Sequence, residues 1–323
     1  MRTVSSSEIR TWSRLGQRGT LFAIAMPELG GERENLRLLT ADVAQLSSMT
    51  RFQAAYPEKF LNVGIAEQNM IGIAAGLAME GRCVFASTYA SFIAVRSLEH
   101  VRQHLAHLCC NVKVVGFSAG VMSARSGIAH WATEDLAFMR TLPNMTVFSP
   151  ADCLDAYKIA RYAAETPGPM YIRLSGGPNC PIVHKEDYEF QAGKADRLRE
   201  GRDVAVFATG LMVKEALDAA EFLEEKGISS SVYNIHTVKP LDIQAVEQAK
   251  DTHRLLVSLE EHNVIGGLGG AIAEYLSSVE GGPRLVRLGI PDAYCAAGSQ
   301  RWIWEQNGID GGSVARRIEE ELS

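Results

Sequence analysis

Short apolar runs of strand character alternate with helix-length segments along almost the entire chain, and that rhythm admits little besides a layered α/β fold on mainly parallel sheets. Leu36–Thr40 reads as a buried strand, Gly64–Glu80 as a helix, Cys83–Ser87 as a strand and Ser91–Leu108 as an amphipathic helix. Asn111–Phe117 is again strand-like. A short helix at Glu134–Thr141, a strand at Met145–Phe148, a helix at Cys153–Glu165 with Asp152 as its N-cap, and a strand at Met170–Leu174 follow. Around Gly176–Lys194 the rhythm lapses into GGPNCP and a polar stretch, which reads as a linker. It resumes with Val204–Ala208, Val213–Lys226, Ser230–His236, Ile243–Lys250, Leu255–Leu259, Leu268–Ser277, Leu285–Leu288 and Gly312–Leu322. The expectation is two doubly wound α/β domains, residues 1–185 and a smaller one over residues 195–323.

Charge and cysteine usage narrow the class. The 323 residues hold 38 acids against 32 bases, so no basic field exists to attract nucleic acid or an anionic membrane surface. The N-terminal MRTVSSSEIRTWSRLG lacks an apolar core of signal-peptide length, and Met70–Met79 is too short to span a bilayer. Cys83, Cys109, Cys110, Cys153, Cys180 and Cys295 show neither CxxC spacing nor a disulfide framework. Reduced thiols and the missing apolar segment point to a cytoplasmic protein.

Asn62–Gly81, NVGIAEQNMIGIAAGLAMEG, places Glu67 at the head of a run rich in Gly and Ala that carries no other charge before Glu80. Such surroundings desolvate a carboxyl and raise its pKa, so that it can stay protonated and donate a hydrogen bond to a ring nitrogen. The alternative is a glutamate that only caps a helix end. At about 3.6 residues per turn, Glu67, Met70, Ile71, Ala74 and Ala78 share a face. Gly64, Gly72 and Gly76 leave shallow positions where another backbone can approach. Each glycine inside a helix costs roughly 1 kcal/mol against alanine. That cost points either to a close interface or to a small-residue helix buried in one core.

The words NVGIAEQNM, LLTADV (Leu38–Val43), TYASF (Thr88–Phe92), NVKVVG (Asn111–Gly116), Ala129–His130, TED (Thr133–Asp135), PNM (Pro143–Met145), SPAD (Ser149–Asp152) and YIRLS (Tyr171–Ser175) stand in one order. Together they resemble the transketolase family, in particular the pyrimidine-binding half found as a separate chain in split transketolases. The resemblance implies a thiamine-diphosphate pyrimidine-binding domain followed by a transketolase C-terminal-like domain. It implies that Glu67 holds N1′ of the aminopyrimidine and that Phe92 stacks on that ring, with Tyr89, Asp42 and Ile65 in the same cofactor-binding set. A protonated Glu67 would favour the imino tautomer, whose 4′ nitrogen removes the thiazolium C2 proton. His130 matches a histidine that touches the donor's ketol oxygens.

Three positions depart from the family. Where ordinary transketolases carry a histidine, an acid and an arginine toward the sugar phosphate and acceptor hydroxyls, this chain has Ser118, Ser126 and Gly176. Arg125 is a candidate to compensate in part. The expected substrate is therefore a small molecule other than a standard pentose or hexose phosphate. No GDG segment occurs, so Mg²⁺ (or Ca²⁺) and the diphosphate are expected on a partner, the N-terminal diphosphate-binding transketolase subunit. This chain is expected to hold no metal, in an α2β2 heterotetramer with a ββ contact. GGLGGA, Gly266–Ala271, resembles a signature of the second domain rather than a phosphate loop.

His100, His104 and His107 recur at helical spacing compatible with zinc, but a polar helix face or subunit contact accounts for them better. RRIEEEL, Arg316–Leu322, reads as a solvated helix end. Among functions, two-carbon ketol transfer leads. A 2-oxoacid dehydrogenase β subunit lacks the GIAEQNM wording, deoxyxylulose-phosphate synthase is one long chain, and a non-catalytic scaffold subunit would not keep Glu67 and Phe92.

Overall fold

The computed structural model describes residues 2–323. Its first sheet holds β1 (Leu36–Thr40), β2 (Phe60–Asn62), β3 (Cys83–Tyr89), β4 (Val112–Phe117), β5 (Thr146–Phe148) and β6 (Met170–Leu174). The second holds β7 (Asp196–Arg199), β8 (Val204–Ala208), β9 (Ser230–Asn234), β11 (Leu255–Asn263) and β12 (Leu285–Ile290). β10 (Thr237–Lys239) comes from the second half of the chain yet pairs antiparallel with β5, giving the order β10-β5-β6-β4-β3-β1-β2. The second sheet runs β12-β11-β8-β9-β7, with β7 antiparallel to β9 and the rest parallel. Fold class is thus as expected, mixed α/β on two mainly parallel sheets. One strand of the later half stitches the two halves together.

The first sheet is covered on both faces, which is why its strands are apolar throughout rather than alternating. Along β3, Cys83 and Phe85 join a cluster with Trp12, Phe22 and Tyr157, while Val84 and Ala86 join Met70, Ile71 and Ala74. The first of these layers is built by helices from Ser6–Gly19, Met26–Glu32 and Cys153–Glu165, the second by the helix Glu67–Met79. Sequence patterning placed no helix ahead of Leu36. Its signal was a capping box: Ser5 caps the Glu8 amide, and the Glu8 carboxylate accepts from the Ser5 amide.

Three expected elements differ in detail. The helix expected from Gly64 starts at Glu67, because Gly64 sits at φ 77° in the turn before it. The expected helix Ser91–Leu108 is interrupted at Ser97 and widened over Phe92–Arg96 and Val101–His107. The C-terminal helix Gly311–Leu322 is less solvated than expected, since Glu321 is half-buried and paired with Arg284 and Arg317.

Candidate active site

Every parallel strand of the first sheet points its carboxyl end to one edge, and the sequence-derived residues gather there. Asp42 follows β1, Glu67 follows β2, Tyr89 ends β3, and Ser118 follows β4. Glu67 opens its helix and is 4% exposed. Its surroundings are not uncharged, which corrects the expectation from sequence. Arg96 donates from Nη1 to Glu67 Oε1 at 2.8 Å, and Gln68 donates from Nε2 to the Arg96 carbonyl at 3.1 Å. The Arg96 guanidinium carbon lies 4.0 Å from the Phe92 ring centroid. Its side chain remains 48% exposed, so the ion pair is screened and worth about 1 kcal/mol or less.

The aromatics form a continuous row. Tyr89 lies 5.3 Å from Phe92 and 4.7 Å from Phe117, centroid to centroid. His130 packs 5.2 Å from Tyr89 and 5.6 Å from Phe92, and its Nδ1 is buried without a hydrogen-bond partner. Structure therefore brings Glu67, Phe92, Tyr89 and His130 together. Asp42 is held in a left-handed turn, φ 61°, where Asn62 donates to its carboxylate at 3.0 Å. Ile65 is 78% exposed beside Gly64, whose Cβ position has open space around it. Ser118 is buried at φ 55°, whereas Arg125 and Ser126 are exposed on a tight turn.

Several motif words prove to be anchors. Arg173 of YIRLS is buried and donates from Nε to both Asp135 oxygens, at 3.1 and 2.9 Å. From Nη2 it reaches the carbonyls of Ala132 and Glu261, and the Tyr171 hydroxyl donates to Asp135 at 2.7 Å. A buried pair of this kind is costly to break from one side, about 3–5 kcal/mol. It fixes the return of the loop that carries His130, which is closed by the Gly120–Ala132 bridge. In GGLGGA, the amides of Leu268 and Gly269 are already taken by the Glu260 carboxylate, at 2.7 and 2.9 Å. Burial pushes Glu260 up to about 7 despite those bonds, and the helix start is closed to a phosphate.

Candidate metal ligands resolve as ion pairs. His184 Nδ1 lies 3.1 Å from Asp152 and its Nε2 lies 2.8 Å from Asp196, with Asp155 also alongside. Both ring nitrogens are engaged, leaving none for a cation. His100 and His104 pack ring to ring at 5.6 Å and belong to no ligand cluster among the described residues. Sequence reasoning missed Arg96; the available signal was its spacing four residues after Phe92, which puts both on one helical face.

Residues 18–177 match the model of the transketolase pyrimidine binding domain, and residues 193–313 that of the transketolase C-terminal domain. The chain is 40% identical to a putative transketolase C-terminal section from Methanocaldococcus jannaschii, over 91% of this chain and 93% of that protein. The chain belongs to the transketolase family. Within that family it is 38% identical to a 6-deoxy-6-sulfo-D-fructose transketolase subunit of Clostridium sp. (strain MSTE9), covering 91% of this chain and 90% of that one. A solved split-gene transketolase, described as an inactive β4 tetramer, superposes with TM-score 0.86 at 38% identity, over 95% of this transketolase-family chain and 98% of its own.

Proposed function

We propose that this chain is the pyrimidine-side subunit of a thiamine-diphosphate-dependent enzyme that transfers a two-carbon ketol unit, active only with a second subunit that holds the diphosphate and its Mg²⁺ (or Ca²⁺). One observation carries the reading. The flat Arg96 guanidinium is bonded to Glu67 and stacked on Phe92 at once, so carboxyl and ring together accept a flat nitrogen-rich group. An aminopyrimidine protonated at N1′ presents the same N–H and the same face. When bound, the coenzyme supplies carbon–carbon bond cleavage beside a ketone.

In this reading Glu67 shares a proton at N1′, which requires Arg96 to swing away, and its exposed stem allows that. Phe92, backed by Tyr89, fixes the ring plane. Ile65 adds an apolar wall at the helix entrance, and Asp42 shapes the adjoining turn through Asn62. The unpartnered His130 Nδ1 is free to bond the substrate's ketol oxygen. We assign Ser118, Arg125 and Ser126 to substrate binding on the strength of the family resemblance. The relative named for a sulfonated ketose supports a non-standard sugar as substrate class.

Partner dependence is supported by two things besides the missing GDG. Gly72 and Gly76 have nothing within 4 Å of their Cβ positions, so the close approach these glycines permit is not made within the chain. A β4 assembly of the related split enzyme is described as inactive. We take the active form to be α2β2 with a ββ contact, residues 1–185 and 195–323 to be the two domains, and the cytoplasm to be its place. Among the described residues no helix is long and apolar enough to cross a membrane. In the reconstituted pair, Glu67→Gln is expected to abolish turnover while assembly, followed by sizing chromatography, survives. Unchanged turnover would remove Glu67 from the mechanism.

A further inference from the structure

We infer that Glu261, from the second half of the chain, is a positioning residue: its carboxyl sets the Gly120 turn of the loop that carries Ser118 and His130, and so tunes substrate affinity across the two halves. The role of that loop rests on the ketol-transfer reading, but the contact stands separately. It begins at an irregular strand end. β11 runs from Leu259 to Asn263, four residues on, while its neighbour β12 runs only from Leu288 to Ile290, two residues on. Extra residues of this kind bend a strand and re-aim its side chains. Glu260, Glu261 and His262 fall in that stretch, and all three are buried. Glu260 turns to the helix start of its own half, whereas Glu261 faces the first half.

Gly120 is shaped to receive it. A Cβ there would lie 2.2 Å from Glu261 Oε2 and 2.5 Å from its Cδ, and the glycine holds φ 63°. Together the contact and the left-handed backbone exclude a side chain at this position. Behind the contact Glu261 is locked, because its Oε1 accepts from Trp304 Nε1 at 2.7 Å and from Gln300 Nε2 at 2.8 Å. The other foot of the loop is tied to the same strand end. Arg173 Nη2 joins the carbonyls of Ala132 and Glu261, and the Asn263 amide donates to the Thr133 carbonyl at 2.7 Å. Since Gly120 and Ala132 also bridge to each other, one strand of the second half grips the loop at both feet.

A carboxylate that served only to join the halves would satisfy both oxygens. Glu261 does not: among the described residues its Oε2 is buried without a hydrogen bond of good geometry, and it packs on Gly120 instead. Burial pushes its pKa up, while Arg173, Gln300, Trp304 and the Val121 amide pull against that. Burying an acid with one oxygen left over is unfavourable, so its position is what the arrangement secures. Glu67 and Phe92 belong to other strand connections, so a shift of the Gly120 turn reaches the substrate side and leaves the ring seat in place.

The test uses the assembled pair loaded with thiamine diphosphate, with hydroxypyruvate as the probe because it yields a two-carbon ketol unit by losing CO₂. Glu261→Gln keeps the shape and an acceptor for Trp304 but puts an amide nitrogen against Gly120. It is expected to raise the KM for hydroxypyruvate roughly tenfold while kcat stays within about threefold of wild type. Hydrogen exchange of peptides from residues 118–132 should quicken, and thiamine diphosphate affinity should not change. Trp304→Phe, which removes the Nε1–H that holds Glu261, should move KM and loop exchange the same way by less. A residue that merely stabilises the fold lowers the amount of active enzyme, so a fall in kcat at unchanged KM, or unchanged loop exchange, overturns the inference. Should Glu261→Gln fail to assemble, Trp304→Phe decides on the same two readouts. Absence of hydroxypyruvate turnover by wild type would instead count against the ketol-transfer reading, and loop exchange alone would then decide whether Glu261 positions the loop.

Discussion

At Glu67 two demands meet on one carboxyl. In the free chain it pairs with Arg96 at 2.8 Å, and the coenzyme reading needs that same oxygen for a ring nitrogen. Arg96 is thus a competitor for the ring seat. Replacing it with methionine removes a pair worth about 1 kcal/mol, and thiamine diphosphate is expected to bind the assembled Arg96→Met enzyme roughly fivefold tighter. A fluorescence titration measures this; weaker binding would show that Arg96 helps to hold the coenzyme. Glu67, Phe92 and His130 were legible in the sequence because each sits inside a local word. The Glu67–Arg96 pair was not, since a helix start must meet the end of a helical segment 29 residues away.

Between elements, a second polar cluster is built around His184. It joins the helix capped by Asp152, the segment after β6, and β7 through Asp196. Burial pulls the imidazole down, but Asp155, Asp152 and Asp196 overcome it and raise it from 6.5 to about 11. A histidine whose folded pKa is raised contributes its full stabilisation below the unfolded value and loses it as pH rises toward the folded one. Stability should therefore fall between about pH 6.5 and 11 from this group, and His184→Gln should flatten the fall. Urea midpoints across that window test it; parallel curves for wild type and variant would deny His184 the role. Asp152 was read from sequence as a helix cap, which its bond from the Asp155 amide bears out. Its second task, holding His184 of the later segment, depends on tertiary placement that no local pattern encodes.

For the molecule as a whole, the alternation of strands and helices was enough to foresee two α/β layers, because covered parallel strands are apolar on both faces. β2, β7 and β10 escaped because all three are short edge strands with polar residues, and β10 joins the sheet of the other half. The helix Glu67–Met79 leaves Gly72 and Gly76 open, so a side chain there should cost the isolated chain nothing and gain up to roughly 1 kcal/mol of helix propensity. Gly76→Leu is accordingly expected to melt no lower than wild type while failing to associate with the partner subunit, as sedimentation would show. A lower melting temperature would mean the helix face is covered within the chain.

The most direct measurement is a thiamine diphosphate titration of the purified chain alone and of its equimolar mixture with the GDG-bearing partner, with turnover followed in both. No tight binding and no turnover are expected of the chain alone, and both of the mixture. Tight binding with turnover by the chain alone would contradict that expectation.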